Sequence, residues 1–314
     1  MITQSGTGRT LSPYFNDTST QGEDFLLPSD NKKPMRIDSN VPVVIYNGSR
    51  GDDFKEVIYS VVKRGHLKAE YMEWLMSKES LRIFDNVFTS NTANVLDNYE
   101  VYEQLGDITV NKFIVWYMYK RFPQLNCTQG VKIVARLRIN YCSKQSFAQI
   151  AESLNFWNFI SASEEERDHN KKPLLEDTLE AFFGAVEFII DKHTITGVGY
   201  AVVFDILECI FNDLHISLRY EDLYDAKTRL KELFDFSGDK LGSIKYEDER
   251  NAEKKNTTSI VYQITHQNNK IKIGEGVASL KADAQQRAAQ KAILFLKNQG
   301  YSKPVPEVYT LMKL

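Results

Sequence analysis

Apolar residues recur at steps of three and four through much of residues 50–214, a spacing typical of amphipathic helices. Phe54, Ile58 and Val61 form one such stripe, for example. The pattern predicts helices near residues 54–62, 67–75, 81–88, 100–122, 147–154, 173–192 and 200–214. Together these segments indicate an all-α domain.

The pattern changes after about residue 223. A helix is predicted over residues 225–233, and three strand-like runs follow at Ser243–Asp248, Thr258–Thr265 and Lys270–Gly274. Apolar and polar residues alternate within the second and third runs, which is expected when one face of a strand is buried. A last helix is predicted over Leu280–Leu296, so this second unit has the order α-β-β-β-α and belongs to the α+β class.

Residues 1–48 are rich in Ser, Thr, Asn, Asp, Gly and Pro and show no sustained period. We expect them to be mostly disordered, with Val41–Tyr46 as the only stretch that docks onto the folded part. The predicted division of the chain is therefore an N-terminal arm (1–48), a helical domain with an N-terminal helical extension (49–220), an α+β domain (223–300) and a C-terminal tail (301–314).

Two of the predicted helices carry acidic residues beside a glycine. In the first, Glu100, Glu103 and Asp107 lie at steps of three and four and therefore share one side. In the second, Asp177 and Glu180 are three residues apart. Gly106 and Gly184 lie next to these acids, and glycine inside a helix costs about 1 kcal/mol relative to alanine, so it usually has a packing reason.

Acidic pairs at helical spacing most often form a solvated surface. The glycine beside each acidic group favours a different interpretation, in which the two helices approach closely and pool their carboxylates. Crowded like charges are costly unless a cation joins them, and Mg²⁺ binds a few carboxylates together with waters and substrate phosphate. The spacing alone does not decide between the two interpretations.

The residue types in the two segments add to the evidence from their spacing. Glu100-x-x-Glu103-x-Leu-Gly-Asp107, followed by Glu-Asp177-Thr-Leu-Glu180-Ala-x-x-Gly-Ala, resembles the two signature helices of the ribonuclease III family. The resemblance places the family's metal-binding, catalytic acids on Glu103, Asp107, Asp177 and Glu180, and its accessory glutamate on Glu100. It implies an all-α ribonuclease III endonuclease domain that forms a homodimer.

The implied activity is cleavage of double-stranded RNA by Mg²⁺-dependent phosphodiester hydrolysis, which leaves 5′-phosphate and 3′-hydroxyl ends. Mn²⁺ is expected to substitute for Mg²⁺. The chain departs from the family pattern in several places, of which three lie close to the motifs or between them. Val101, Tyr102 and Gln104 replace the usual residues of the first motif, Thr89–Thr92 lacks the histidine of many relatives, and Gln129-Gly130 stands where a further acid is usual.

The composition, 42% hydrophobic and 26% charged over 314 residues, is ordinary for a soluble globular protein. A net charge of −3 does not indicate a nucleic-acid binder, but the charge is uneven: residues 251–300 carry +5 and the rest of the chain −8. Any basic surface is therefore local. The three cysteines fit no zinc spacing and cannot all pair, which favours buried thiols in a reducing compartment.

The α+β domain resembles a double-stranded RNA-binding domain. Its opening helix begins Asp-x-Lys227-Thr-x-Leu, and Lys281-Ala-Asp-Ala-Gln-Gln-Arg287 resembles the start of that domain's last helix. Lys281, Arg287 and Lys291 are expected to present one basic edge to the phosphates of an A-form duplex, with Lys227 nearby. The competing interpretation is an ordinary solvated helix. His266 is expected to be an ordinary strand residue and His169 to lie in a surface loop.

No basic and apolar signal region begins the sequence, and no apolar run is long enough to span a membrane. We expect an intracellular protein, cytoplasmic or nuclear, in the host cytoplasm if the source is viral, with double-stranded RNA and a second copy of itself as partners. Two alternatives to the enzyme remain open. One is a catalytically inactive RNA-binding protein of the same fold, a sequestering factor or ribonucleoprotein component, and the other is a structural dimerisation module.

Overall fold

The computed structural model describes residues 44–311. Its α-helices, in chain order, are α1 (Asp52–Val62), α2 (Ala69–Leu75), α3 (Lys78–Val87), α4 (Glu100–Arg121), α5 (Gly130–Tyr141), α6 (Lys144–Ser153), α7 (Glu164–His169), α8 (Lys171–His193), α9 (Val198–Asn212), α10 (Tyr220–Leu223), α11 (Ala226–Ser237), α12 (Lys281–Asn298) and α13 (Glu307–Leu311). Its strands are β1 (Ile45–Tyr46), β2 (Ala162–Ser163), β3 (Ser243–Asn251), β4 (Asn256–Ile264) and β5 (Lys270–Ala278). The predicted all-α domain followed by an α+β unit is confirmed.

Helix α8 lies at the centre of the helical domain. It packs against α2, α3, α4, α6 and α9, and most of its residues from Leu174 to Ile190 are buried. Phe182 on α8 contacts Phe84 on α3, with ring centroids 5.1 Å apart, and Phe183 is fully buried beside it. A helix that is apolar on nearly all sides must be covered all round. The acidic side chains within this buried stretch, Glu176 and Glu180, are therefore held in partly desolvated positions.

Short polar side chains define where several helices begin. Ser77, Ser143, Ser163 and Asp225 each accept a hydrogen bond from a backbone N–H in the first turn of α3, α6, α7 and α11 respectively. These bonds satisfy donors that have no partner within the helix. Asp52 and Asp53 lie in the first turn of α1, where their negative charges interact favourably with the positive end of the helix dipole. They do not form a side-chain cap.

The segment before α1 is fastened to the helical domain. Ile45 and Tyr46 pair antiparallel with Ser163 and Ala162, which confirms docking for the described part of the predicted stretch. The Arg50 guanidinium forms an ion pair with Asp85 and donates to the backbone carbonyl oxygen of Phe88 at 3.0 Å. The rest of the predicted arm lies outside the described residues.

The C-terminal unit is a three-stranded antiparallel sheet with strand order β3-β4-β5, covered by α11 and α12. Its core is a separate apolar cluster that includes Leu230, Phe234, Val261, Ala288 and Leu296. The strands β3 and β5 are both longer than predicted. The far end of β3 is exposed and polar, so it lacks the alternation used to find strands.

The chain after α12 folds back onto the linker between the two units. Tyr309 on α13 is 3% exposed, and its hydroxyl donates to that of Tyr224 at 3.0 Å. From α5, Arg136 stacks over the Tyr224 ring at 4.6 Å and donates through Nε to the Leu223 carbonyl at 2.7 Å. Arg136 also lies 3.7 Å from the carboxylate of Asp225, the residue that caps α11. Residues 301–311 of the expected tail thus form a clasp between the helical domain and the sheet unit.

Four local expectations are corrected. His169 is exposed as expected, but it ends helix α7 and does not lie in a loop. His266 lies in the turn between β4 and β5, where its ring bonds the Asp239 carbonyl, and is not a strand residue. Helix α5 has no predicted counterpart. The three thiols are free, but Cys127 is exposed, because it lies in the short connection before α5.

Candidate active site

Helices α4 and α8 cross where each carries a glycine. A Cβ on Gly106 would collide with the backbone carbonyl of Glu180, and a Cβ on Gly184 with that of Tyr102. Both positions therefore require glycine for the backbones to come this close. The predicted close approach of the two acidic helices is confirmed.

This crossing brings three of the four predicted acids together. Glu103 on α4 and Asp177 and Glu180 on α8 each offer a carboxylate oxygen, and these oxygens all lie within 4.8 Å of one another. Glu180 is 7% exposed, while Glu103 and Asp177 are half-buried. The site is thus a partly desolvated pocket of negative charge that remains open to solvent on the side of Glu103 and Asp177.

Asp107, the fourth predicted acid, is one turn further along α4 and is exposed. One of its carboxylate oxygens accepts a hydrogen bond from the Asn111 side-chain amide at 2.7 Å, so the carboxylate faces Asn111 and does not join the three-acid cluster. The negative charge of Asp107 still raises the pKa of Glu180. The hydrogen bond from the Asn111 amide satisfies the Asp107 carboxylate in this orientation.

The environment makes these carboxyls hold protons unusually tightly. Burial, followed by the nearby carboxylates with Asp107 first, raises the pKa of Glu180 to about 8. Burial, followed by the charge of Asp177, raises the pKa of Glu103 to about 7. Burial raises the pKa of Asp177 to about 6, against the lowering effect of a hydrogen bond from Tyr99. Near neutral pH the cluster therefore gains strongly from a positive charge placed among its oxygens.

The donor set fits a hard divalent cation. Mg²⁺ and Mn²⁺ prefer carboxylate oxygens, and Mg²⁺ usually retains several waters alongside one or two such ligands. Neither cysteine sulfur nor a histidine nitrogen belongs to the cluster, which disfavours zinc. Glu103, Asp177 and Glu180 would hold the ion, and Asp107 would complete the set after a side-chain rotation.

The accessory Glu100 stands at the start of α4 and is exposed. Its carboxylate accepts a hydrogen bond from the Asn91 amide at 2.6 Å, so it is oriented by the segment that lacks the family's histidine. Glu100 is outside the three-acid cluster, but its negative charge raises the pKa of Glu103.

Two further groups at the site have no counterpart in the sequence prediction. Glu176, next to Asp177, is 8% exposed and pairs with the Lys144 ammonium at 2.8 Å. Lys144 begins α6, and its positive charge lowers the pKa of both Glu103 and Asp177. Lys144 lies 33 positions before Asp177 in the sequence, so no local spacing connects them; only the packing of α6 on α8 does.

The basic residues of the C-terminal unit contact different neighbours. Lys281 pairs with Asp248 on β3 at 3.1 Å, and Lys227 donates to the neighbouring Gln285 at 2.5 Å. Arg287 donates to the Val277 carbonyl on β5 at 2.7 Å, and Lys291 lines a groove with β5 residues 272–275. Arg287 and Lys291 lie about 120° and 80° around α12 from Lys281, so their side chains have different neighbours. That these residues present one basic edge to a duplex stays a prediction.

Comparison with known proteins agrees with this geometry. A family model described as the Ribonuclease III domain matches residues 100–188, which include all four acids. A relative named putative ribonuclease 3, from Invertebrate iridescent virus 6, is 45% identical over 270 residues, covering 82% of this chain and 91% of the relative. The chain belongs to the ribonuclease III family. It is accordingly a hydrolase of the endoribonuclease class.

Other similar proteins fall in the same family. The putative ribonuclease 3 of Frog virus 3 (isolate Goorha) is 40% identical over 237 residues, covering 75% of this chain and 61% of that relative. The nuclease domain of ribonuclease III from Campylobacter jejuni, a solved structure, is 25% identical, with a TM-score of 0.38, over 48% of this chain and all of that one. In the described part of the enzyme, none of the helices has the length and hydropathy needed to traverse a bilayer.

Proposed function

We propose that this enzyme cleaves double-stranded RNA by metal-dependent hydrolysis, with Mg²⁺ held by Glu103, Asp107, Asp177 and Glu180. The observation that carries the proposal is the convergence of three carboxylates from α4 and α8 in a pocket where burial raises their pKa values. Family membership supports the substrate class. Mn²⁺ is proposed to substitute, since the same oxygen ligands suit it.

The reaction adds water to the scissile phosphorus and breaks the bond to the 3′ oxygen, which leaves a 5′-phosphate and, after protonation, a 3′-hydroxyl. Bound Mg²⁺ supplies charge neutralisation at the phosphate and a water of lowered pKa. Glu103, Asp177 and Glu180 fix the position of that chemistry because their helices cannot shift at the glycine crossing. Lys144, beside Glu176, places a positive charge at the pocket, where the incoming phosphate lies.

We assign cleavage to the helical domain (49–220) and duplex binding to the α+β domain (223–300). The +5 charge of residues 251–300 supports the second assignment, because contacts with phosphates supply most of the affinity for duplex RNA. Lys281 and Lys227 lie near the start of α12 and α11, and Arg287 and Lys291 lie toward β5. We expect moderate affinity that reads duplex shape and not sequence.

We propose that the working form is a homodimer formed on α4. Val101, Ile108 and Trp116 are 76%, 65% and 60% exposed, and their spacing places them on one side of that helix. Large apolar side chains exposed in a row are typical of a surface that another protein covers. A dimer on this face would hold two carboxylate pockets near one duplex. Sedimentation of the full chain tests this: Ile108→Asp is expected to yield a monomer.

A cleavage assay on the full-length protein tests the proposal. A labelled duplex of defined ends is incubated with Mg²⁺, Mn²⁺ or chelator, and the product ends are determined. We expect cleavage with either metal and none with chelator, and Asp177→Asn is expected to abolish cleavage while retaining duplex binding. Glu208→Gln, which alters only a surface pair with Lys120, is the matched control. Binding without cleavage at any metal concentration would instead support the inactive RNA-binding protein.

A further inference from the structure

Tyr99 immediately precedes α4 and reaches across to α8. Its side chain is 6% exposed, and its hydroxyl donates a hydrogen bond to Oδ2 of Asp177 at 3.1 Å. Its backbone N–H donates to the Thr89 carbonyl at 3.1 Å. The two contacts hold both ends of the residue, so the hydroxyl occupies a fixed point beside the carboxylate pocket.

The surroundings ensure that the hydroxyl acts as a donor. The phenol is buried and lies against the Asp177 carboxylate, so its hydroxyl proton has a carboxylate oxygen as its acceptor. A phenol has one proton to give, and the carboxylate of Asp177 is acceptor-only when ionised. Oδ2 of Asp177 is therefore hydrogen-bonded, and the carboxylate cannot rotate freely.

The support beneath Tyr99 is itself rigid. The segment from Thr89 to Thr92 is joined to residue 161, because the Ser90 N–H donates to the Ser161 carbonyl at 2.8 Å. The hydroxyls of Ser90 and Thr92 both donate to one oxygen of Glu166, at 2.7 and 2.6 Å. This segment stands where many relatives carry a histidine, and here it forms a polar shelf under the start of α4.

We propose that Tyr99 is a positioning residue that orients the Asp177 carboxylate for metal binding, without touching the metal or the RNA itself. The inference rests on the proposed function, in which Asp177 is a metal ligand. Hydrogen bonds that orient a ligand typically change metal affinity or activity by about 10–100-fold when they are removed. The ring of Tyr99 fills space that phenylalanine would fill equally well, so the hydroxyl is the part assigned this role.

The variant Tyr99→Phe removes this hydroxyl alone. Its matched control is Tyr102→Phe, three residues further on, since Tyr102 is half-buried against Phe188 and its hydroxyl has no hydrogen-bond partner among the described residues. Calorimetric titration of the metal-free, full-length protein with Mn²⁺ measures binding directly. We expect Tyr99→Phe to bind about 10–100-fold more weakly and Tyr102→Phe to bind as the unchanged protein does.

Cleavage rates give a second readout. We expect excess Mg²⁺ to restore the rate of Tyr99→Phe, because the ligands remain and only their orientation is loosened. A binding constant for Tyr99→Phe within about twofold of that of Tyr102→Phe would overturn the inference. A rate that stays low at saturating metal would do the same, since it would indicate a general structural defect.

A third measurement does not depend on the stability of Tyr99→Phe. With 3-fluorotyrosine at position 99 the hydroxyl is retained, and its ¹⁹F resonance is expected to move on Asp177→Asn and on addition of Mg²⁺. A resonance that responds to neither contradicts the proposal. The proposed function fails separately, if Asp177→Asn binds Mn²⁺ and cleaves normally. If Asp177→Asn loses both while Tyr99→Phe loses neither, only the role of Tyr99 fails.

Discussion

Replacing Glu180 by glutamine removes a buried charge. It therefore separates the effect of that charge on the stability of the metal-free protein from its role in metal binding. Glu180 is 7% exposed, and its pKa rises from 4.5 to about 8. Since each pKa unit corresponds to about 1.4 kcal/mol, the ionised side chain destabilises the metal-free fold by up to ~5 kcal/mol. Glu103 and Asp177 share protons with Glu180, which reduces the observable effect. We expect Glu180→Gln to stabilise the metal-free protein at pH 8 by about 2 kcal/mol.

The sign follows from the same pKa values. Glu103, Asp177 and Glu180 titrate near 7, 6 and 8 in the folded protein and lower in the unfolded chain, so the folded state holds more protons in between. The stability of the metal-free protein therefore falls as the pH rises from about 5 to 8. We expect Glu180→Gln to flatten this fall, because it removes the group with the highest of the three values.

Thermal unfolding with and without Mg²⁺ provides the assay. At pH 8 without metal, the midpoint of Glu180→Gln is expected to exceed that of the unchanged protein by about 4–8 °C. Added Mg²⁺ is expected to raise the unfolding midpoint of the unchanged protein and to leave that of the variant almost unchanged, since a ligand stabilises only the state that binds it. Glu208→Gln, at a surface ion pair, serves as the control. A variant that is less stable at pH 8, or that keeps its response to Mg²⁺, would refute the reasoning.

Three further predictions follow from other parts of the structure. Metal affinity is expected to fall steeply between pH 8 and 6, measured by Mn²⁺ calorimetry, because protons compete for carboxyls whose pKa values lie in that range. Gly184→Ala is expected to cost about 3 kcal/mol or more in thermal unfolding, since its Cβ meets the Tyr102 backbone, whereas Gly51→Ala, with open space, is nearly neutral. Arg136→Ala is expected to speed limited proteolysis between residues 214 and 226 about tenfold, by loss of its bonds to the linker.

Each of these three predictions would be contradicted by a specific result. A pH-independent Mn²⁺ affinity would show that the raised pKa values belong to groups other than the ligands. Equal stability of Gly184→Ala and Gly51→Ala would show that α4 and α8 do not cross as closely as described. Unchanged proteolysis of Arg136→Ala would show that the clasp of Arg136, Tyr224 and Tyr309 does not restrain the linker.

The helical domain could be predicted from sequence because its information is local. The apolar stripe of α8 repeats at helical spacing, and the paired glycines beside acids indicated the crossing. The six-residue helix α7 has no apolar stripe to find; its Ser163 cap and the acids of its first turn define it. The position of α13 depends on contacts with Tyr220 and Tyr224, more than eighty residues away, and no local pattern contains them.

The candidate site divides in the same way. Glu103, Asp177 and Glu180 could be predicted as metal ligands, since the spacing and the residue types of their motifs are local in the sequence. The contributions of Tyr99 and Lys144 depend on packing between elements far apart in sequence. The orientation of Asp107 depends on Asn111, four residues along the same helix, an interaction that sequence allows but does not select among the available rotamers. The contacts of Lys281 with β3 and of Arg287 with β5 depend on side-chain direction around α12, which the sequence does not give.

The most direct test of the central claim is an anomalous diffraction map of crystals of the full-length protein soaked in Mn²⁺. We expect a peak bound by Glu103, Asp177 and Glu180, with metal–oxygen distances of about 2.0–2.3 Å and the Asp107 carboxylate turned from Asn111 toward the ion. A peak elsewhere, or no peak at saturating Mn²⁺ with the three carboxylates intact, would contradict it.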